Sequence, residues 1–144
     1  MIACMDARAV ASSWGLEPHP EGGFYRETYR SAIEVTPPGW PGPRALATSI
    51  LYLLGPGDRS VWHRVRGDEL WLWQGGGPMR LYVGDVERVV GPDASAGHEL
   101  QVLVPAGVWQ SATPADVEWS LVACVVAPGF DFADLELRGS SDAE

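Results

Sequence analysis

The feature that most constrains this chain is its punctuation. Short apolar runs rich in valine, leucine and aromatic residues recur between glycine and proline turns at intervals of roughly eight to twelve residues. The runs fall at 45–54, 61–65, 69–74, 79–83, 87–90, 99–104, 108–114 and 118–127, and the turns read GPGD, RGD, GGGP, GD, GPDASAG and PAG. Such spacing leaves no room for long helices, and regular short strands joined by glycine turns describe an all-β sandwich or barrel. Only the N-terminus departs from this, where Ala7, Val10, Ala11 and Trp14 recur at helical spacing before Gly15, which predicts one short helix over 5–14. LEPHPEGG then reads as a shaped loop, because its prolines and glycines suit neither helix nor sheet. FYRETYR alternates, which places Tyr25, Glu27 and Tyr29 on one strand face and Arg26, Thr28 and Arg30 on the other. Four prolines make 33–43 a rigid loop around Trp40.

Composition separates this from a disordered chain: 17 glycines and 12 prolines are set among 46% hydrophobic residues. The 144 residues suit a single domain, with its core over about 16–137 and an acidic tail expected to fray. All 10 basic residues are arginine, against 19 acidic ones, for a formal charge of -9. Without lysine there is no Schiff-base chemistry and no Walker-type phosphate loop. Scattered arginines on an acidic chain also argue against nucleic acid and anionic membranes as partners. Cys4 and Cys124 have no metal-type spacing, and Asp6 and Arg8 interrupt what an export signal would need, so a reduced, cytoplasmic setting is expected. Seven tryptophans point either to an aromatic cavity or interface or to plain core packing.

Two glycine-anchored segments carry chemistry. In the first, Gly57 is followed by His63, Val65, Glu69 and Gly76; in the second, Pro105 and Gly107 precede Gln110. Both resemble the two motifs of the cupin superfamily, whose fold is a double-stranded β-helix, or jelly-roll barrel. LEPHPEGGFYRETYRS, WHRVRGDELW, VPAGVWQSATP and VAPGFDFADLEL further resemble one cupin subfamily of long-unassigned function. The resemblance implies an all-β cupin barrel of one domain over 1–144, with a short N-terminal helix, a small-molecule ligand and a homodimer. Trp62, Trp109, Phe130 and Phe132 are candidates for the subunit contact.

Cupins of this kind aim two or three histidines and a glutamate at an open metal site. Here Val65 and Gln110 stand in two of the histidine places, and where the subfamily carries E-I-W-H this chain has Glu69, Leu70, Trp71 and Leu72. A valine cannot ligate and a neutral amide oxygen is a weak donor, so no metal cofactor is expected, with a weak site at His63, Glu69 and Gln110 as the alternative. The lead expectation is therefore metal-independent acid/base catalysis, of epimerase, isomerase, dehydratase or cyclase type, on a carbohydrate or polyketide-like metabolite. His63, Glu69 and Glu27 are the catalytic candidates, because burial moves carboxyl and imidazole pKa values toward neutrality. Gln110, Tyr52, Trp71, Trp73 and His19 are the substrate-binding candidates, the two tryptophans because strand alternation from Glu69 turns them inward. A non-catalytic binding module and a metal-dependent oxygenase or isomerase remain the alternatives. Alternation also sets Val61, His63, Val65, Val108 and Gln110 inward, with Trp62, Arg64 and Trp109 outward.

Overall fold

A computed structural model describes residues 6–138. The N-terminal helix α1 (Ala7–Ser13) is capped by Asp6, whose side chain accepts from Ala9 N at 2.8 Å, and it buries Val10 and Ala11. Thirteen strands follow: β1 (Glu17–Pro18), β2 (Phe24–Arg30), β3 (Glu34–Val35), β4 (Arg44–Ala45), β5 (Thr48–Leu54), β6 (Ser60–Arg64), β7 (Asp68–Gly76), β8 (Met79–Val83), β9 (Val86–Val90), β10 (Gln101–Val104), β11 (Gln110–Pro114), β12 (Ser120–Ala127) and β13 (Glu136–Leu137). The eight runs read from the sequence correspond to β5 through β12. Short elements were not legible there: Glu17 and Pro18 pair with Tyr25 and Phe24, and β3 pairs with β4 across the proline loop.

Six strands form one antiparallel sheet in the order β1-β2-β5-β12-β7-β10, and five form a second in the order β13-β6-β11-β8-β9. Their inner faces enclose a core of Tyr52, Leu54, Trp71, Met79, Leu81, Val90, Val102, Val104, Ala112, Val122 and Cys124. Burying side chains of this size stabilises the fold by about 1.5–3 kcal/mol each, so this core dominates. The outer face of the larger sheet is divided. Its lower part, Leu53 and Leu121 with Phe24 beside them, is covered by Val10, Ala11 and Leu16. Its upper part is a row in which Leu103 neighbours Leu70, then Val125, Ser49 and Tyr29.

Two bulges redirect side chains that plain alternation would misplace. In β2, Glu27 pairs with Ile50 but Tyr29 pairs with Ser49, so Thr28 is the extra residue and its hydroxyl donates to Ser49 O. Tyr25, Glu27 and Arg30 consequently share the inner face, while Tyr29 is exposed. This corrects the expected pairing of Tyr29 with Glu27 and of Arg30 with Arg26. In β6, His63 faces Gln110 and Ser60 faces Ala112, which puts Ser60 inward and leaves Val61 exposed, against expectation. Trp62 and Trp109 lie outward, stacked with Arg138 at 5.4 and 4.4 Å.

After β12 the chain crosses the open end of the barrel. Arg44 donates from Nε and Nη2 to Asp134 at 2.7 and 2.8 Å, and Arg66 adds a 3.1 Å contact. Phe130 N donates to Thr48 Oγ1 at 2.9 Å. The expected fraying of the last residues, and Cys4, fall outside the described residues.

At the other side of this opening the PHPEGG loop packs on β5. Gly23 has φ +77, and a Cβ there would lie 2.5 Å from Leu54 Cδ2 and 2.6 Å from Leu53 O. Gly23→Ala is expected to cost at least about 1–3 kcal/mol from backbone strain alone, read as a lower urea midpoint. An unchanged midpoint would contradict this account of the loop.

Candidate active site

A cavity of about 430 Å³ opens between the sheets beneath the C-terminal crossing. Its floor holds His63, Glu21 and Glu69, at 2%, 7% and 7% exposure. Tyr25, Ile50, Val65, Val126, Phe130 and Phe132 make its walls, and Glu27, Arg30, Thr48 and Asp131 also line it.

The tautomer of His63 follows from its partner. Nδ1 lies 2.7 Å from the carbonyl of Val61, which can only accept, so Nδ1 carries a proton. Nε2 therefore holds the lone pair of the neutral ring, and it faces Glu21 Oε2 at 3.3 Å. Ser60 Oγ donates to Glu21 Oε1 at 2.8 Å, leaving Oε2 as the edge that meets the imidazole. Burial pushes Glu21 up to about 7, against the hydrogen bond it accepts from Ser60. Burial lowers His63, opposed by the attraction of Glu69. Burial thus strengthens the carboxyl's hold on a proton and weakens the imidazole's.

Glu69 occupies the opposite wall of the floor. Burial pushes it up to about 7, with His63 pulling it down and Glu21 pushing it further up. Gln110 Nε2 donates to Glu69 Oε1 at 2.8 Å, and Trp71 Nε1 donates to Gln110 Oε1 at 2.9 Å. The amide orientation is fixed by these two bonds, because only its oxygen can accept from an indole. Cys124 lies beside Glu69, and burial raises its thiol well above the usual range.

Of the residues singled out from sequence, His63, Glu69, Glu27, Tyr52 and His19 line the cavity. His19 Nδ1 accepts from Glu21 N at 3.0 Å, so its neutral ring keeps its proton on Nε2, and burial followed by repulsion from His63 lowers its pKa to about 4. Its ring stands edge-on to Tyr25 and Tyr52, with centroids 4.5 and 5.4 Å away. Tyr52 gives its hydroxyl proton to Gly22 O at 2.6 Å, which holds the loop bearing Glu21. Glu27 is bound to Arg30 at 2.6 Å.

Three residues stand elsewhere. Gln110 is fully buried behind Glu69, and Trp71 and Trp73 belong to the core, not to the cavity wall. Alternation gave the correct face, but β11 covers Trp71 from the facing sheet, and Trp73 turns its indole to Gly77 O at 3.2 Å. The aromatic wall is instead Tyr25, Phe130 and Phe132, so Phe130 and Phe132 face the cavity. Sequence reasoning missed Glu21; its one signal was a carboxylate held between the prolines and glycines of PHPEGG.

The metal set implied by the cupin motifs does not assemble here. Val65 offers no donor, and the one oxygen of Gln110 receives the indole proton of Trp71. Among the described residues, no three His, Cys, Asp or Glu side chains are grouped to hold an ion. The residues present therefore do not fit a metal of the usual cupin kind.

The fold and the motif placement define a cupin. Residues 8–138 match the family described as Cupin superfamily (DUF985), and the chain belongs to that family. The uncharacterized protein YML079W of Saccharomyces cerevisiae is 33% identical over 87% of this chain and 71% of its own length. A hypothetical protein from Leishmania major superposes with a TM-score of 0.87 at 30% identity, covering 96% of this chain and 90% of its own. Protein SO0799 from Shewanella oneidensis does so at 0.85 and 35%, covering 95% and 87%. A cupin-2 domain of Rhodospirillum rubrum, 17% identical at a TM-score of 0.58, shares the fold. The fold supports a small-molecule-binding cupin in general, and no helix among the described residues is long and apolar enough to cross a membrane.

The buried carboxyls set a pH dependence of stability. In the unfolded chain Glu69 titrates near 4.5, and in the folded chain near 7. Below both values the group is protonated in either state; between them only the unfolded chain ionises, so folding weakens as pH rises, and above about 7 the loss is complete. Glu69→Gln, which can still accept from Gln110, is expected to raise stability at pH 8 by up to roughly 3 kcal/mol and to leave it unchanged near pH 4. Urea unfolding at the two pH values measures this, and equal effects at both would refute the buried-carboxyl account.

Proposed function

We propose that this cupin is a metal-independent general acid/base enzyme acting on a small, partly apolar carbohydrate or polyketide-like metabolite, through epimerisation, isomerisation, dehydration or cyclisation. The observation that carries the reading is the His63 Nε2 to Glu21 Oε2 contact of 3.3 Å on the floor of the cavity. Two buried groups in direct contact, the carboxyl made a stronger base by burial and the imidazole a weaker one, can pass a proton between them, which is what proton transfer at neutral pH requires. A binding module has no need of such a pair.

In this scheme the pair in its basic form, neutral His63 beside the Glu21 carboxylate, accepts one proton from substrate carbon or oxygen. Val61 O keeps the ring oriented, and Ser60 holds Glu21 Oε1 so that Oε2 stays turned to the ring. Glu69, whose ionisation burial opposes, is the acid that returns a proton, and the Trp71–Gln110 chain holds its Oε1 so that Oε2 carries the mobile proton. The Nε2–H of His19 is a fixed donor for a substrate oxygen. The reaction needs no oxidant or reductant, because the proton removed is balanced by the proton returned.

Exchange of substrate carbon-bound hydrogen for deuterium in D2O, read by mass spectrometry over a panel of hydroxyketones, aminosugars and aromatic polyketides, tests this. The wild-type protein is expected to label at least one compound, and His63→Gln and Glu21→Gln are each expected to slow labelling by about 10²–10⁴-fold. Labelling that survives both substitutions would exclude the pair as the acid/base.

We further propose a homodimer in the cytoplasm. The row of Tyr29, Ser49, Val125, Leu70 and Leu103 is a mainly apolar face suited to a second copy, and the free buried Cys124 suits a reducing compartment. Leu70→Glu places a charge in the middle of that row. Light scattering is expected to give a dimer mass for the wild type and a monomer mass for the variant; a monomeric wild type would overturn the assignment.

A further inference from the structure

The charge lining the cavity carries the reading one step further, to the class of substrate. Four carboxyl groups line the cavity, those of Glu21, Glu27, Glu69 and Asp131. Among the described residues the only guanidinium lining it is Arg30. That cation is already committed. Its Nη2 donates to Glu27 Oε1 at 2.6 Å and to Phe130 O at 3.1 Å, and its Nε donates to Glu27 Oε2 at 3.2 Å. The two histidines do not supply a substitute positive charge: His19 accepts a backbone N–H at Nδ1, and His63 Nε2 faces a carboxyl. With no lysine anywhere in the chain, no flexible amine can swing in from the mouth.

An anionic group entering here would meet Asp131 and two carboxyls, Glu21 and Glu69, that ionise near neutral pH, and the one guanidinium lining the cavity among the described residues already has its charge balanced by Glu27. The walls lead to the same conclusion. Tyr25, Phe130, Phe132 and the edge of His19 present aromatic surface, which receives an uncharged ring or a cation readily and a carboxylate or phosphate poorly. We infer that the site takes uncharged or amine-bearing small molecules and refuses anionic ones, carboxylic acids and sugar nucleotides included. The inference rests on the cavity being a small-molecule site, and it narrows the metabolite to one without a carboxylate or phosphate. It also assigns Glu27 a selectivity role: by holding Arg30, it keeps the mouth closed to anions.

Three probes of nearly one shape, benzamidine, benzamide and benzoate, separate charge from fit. Protein-observed NMR titration at pH 7.5 is expected to map benzamidine and benzamide to the resonances of Tyr25, His63 and Phe130, each at least roughly tenfold tighter than benzoate. UDP-glucose is expected to cause no saturable shift there. In Glu27→Gln, which loosens the hold on Arg30 and removes one negative charge, benzoate is expected to gain about tenfold while benzamide changes by less than about threefold. Benzoate binding as tightly as benzamide to the wild type, saturable UDP-glucose binding in the cavity, or no selective gain in a folded Glu27→Gln would each overturn the charge inference and leave the acid/base reading standing. Failure of all three aromatic probes to shift cavity resonances at about 20 mM would instead overturn the small-molecule site itself, and this inference with it.

Discussion

The floor of the cavity depends on one short chain of hydrogen bonds, from the indole of Trp71 through the amide of Gln110 to the carboxyl of Glu69. Trp71 and Glu69 stand on β7 of the larger sheet and Gln110 on β11 of the smaller, so these bonds tie the two layers together where the core meets the site. Every polar atom in the chain is buried, and a buried donor or acceptor left without its partner costs about 1–3 kcal/mol. The amide can satisfy both neighbours in only one orientation. That orientation uses its oxygen inside the protein and presents its nitrogen to a carboxyl, which converts a place for a metal ligand into a support for an acid.

The fold was legible in the sequence because strand length and turn chemistry are local properties. Runs such as ILYLL and LVACVV, bounded by glycine turns, could be little else. Two-residue pairings such as Glu17–Pro18 with β2 were not legible, because tertiary packing, and not propensity, makes them. At the site, the motif resemblance set His63 and Glu69 inward, and alternation extended that to their strand neighbours. Alternation says which face a side chain takes and nothing of whether the opposite sheet covers it, and so Trp71 and Trp73 fall in the core. It also fails at a bulge, which is why Arg30 stood on the wrong side of β2 and Val61 on the wrong side of β6. Glu21 escaped because a loop has no period to read; its place comes from contacts with Ser60 and His63, both distant in sequence.

The site and the fold pull against each other. Glu21 and Glu69 are held where ionisation is costly, and His63 and His19 where protonation is costly, so the groups best suited to proton exchange are those that weaken the folded state at one pH extreme or the other. The core of Leu53, Leu54, Leu81 and Val122 offsets that weakness. Several arginines meanwhile serve as staples, Arg44 in a buried pair with Asp134 that Arg66 joins from the surface, Arg64 on Glu136 and Arg88 on Glu99, each already held by a carboxylate.

The bulge at Thr28 has a consequence for how such a protein can change over evolutionary time. Because one extra residue decides which side of β2 each later side chain takes, drawing Thr28 into the regular ladder would turn Arg30 outward and Tyr29 inward in a single step. The cavity mouth would lose its neutralised cation, and the outer face would exchange an aromatic ring for a charge. Ligand preference and self-association would then shift together, through a change of strand register and without any substitution in the floor of the site. Descendants of one such barrel could diverge in what they admit while keeping the same proton-transfer machinery.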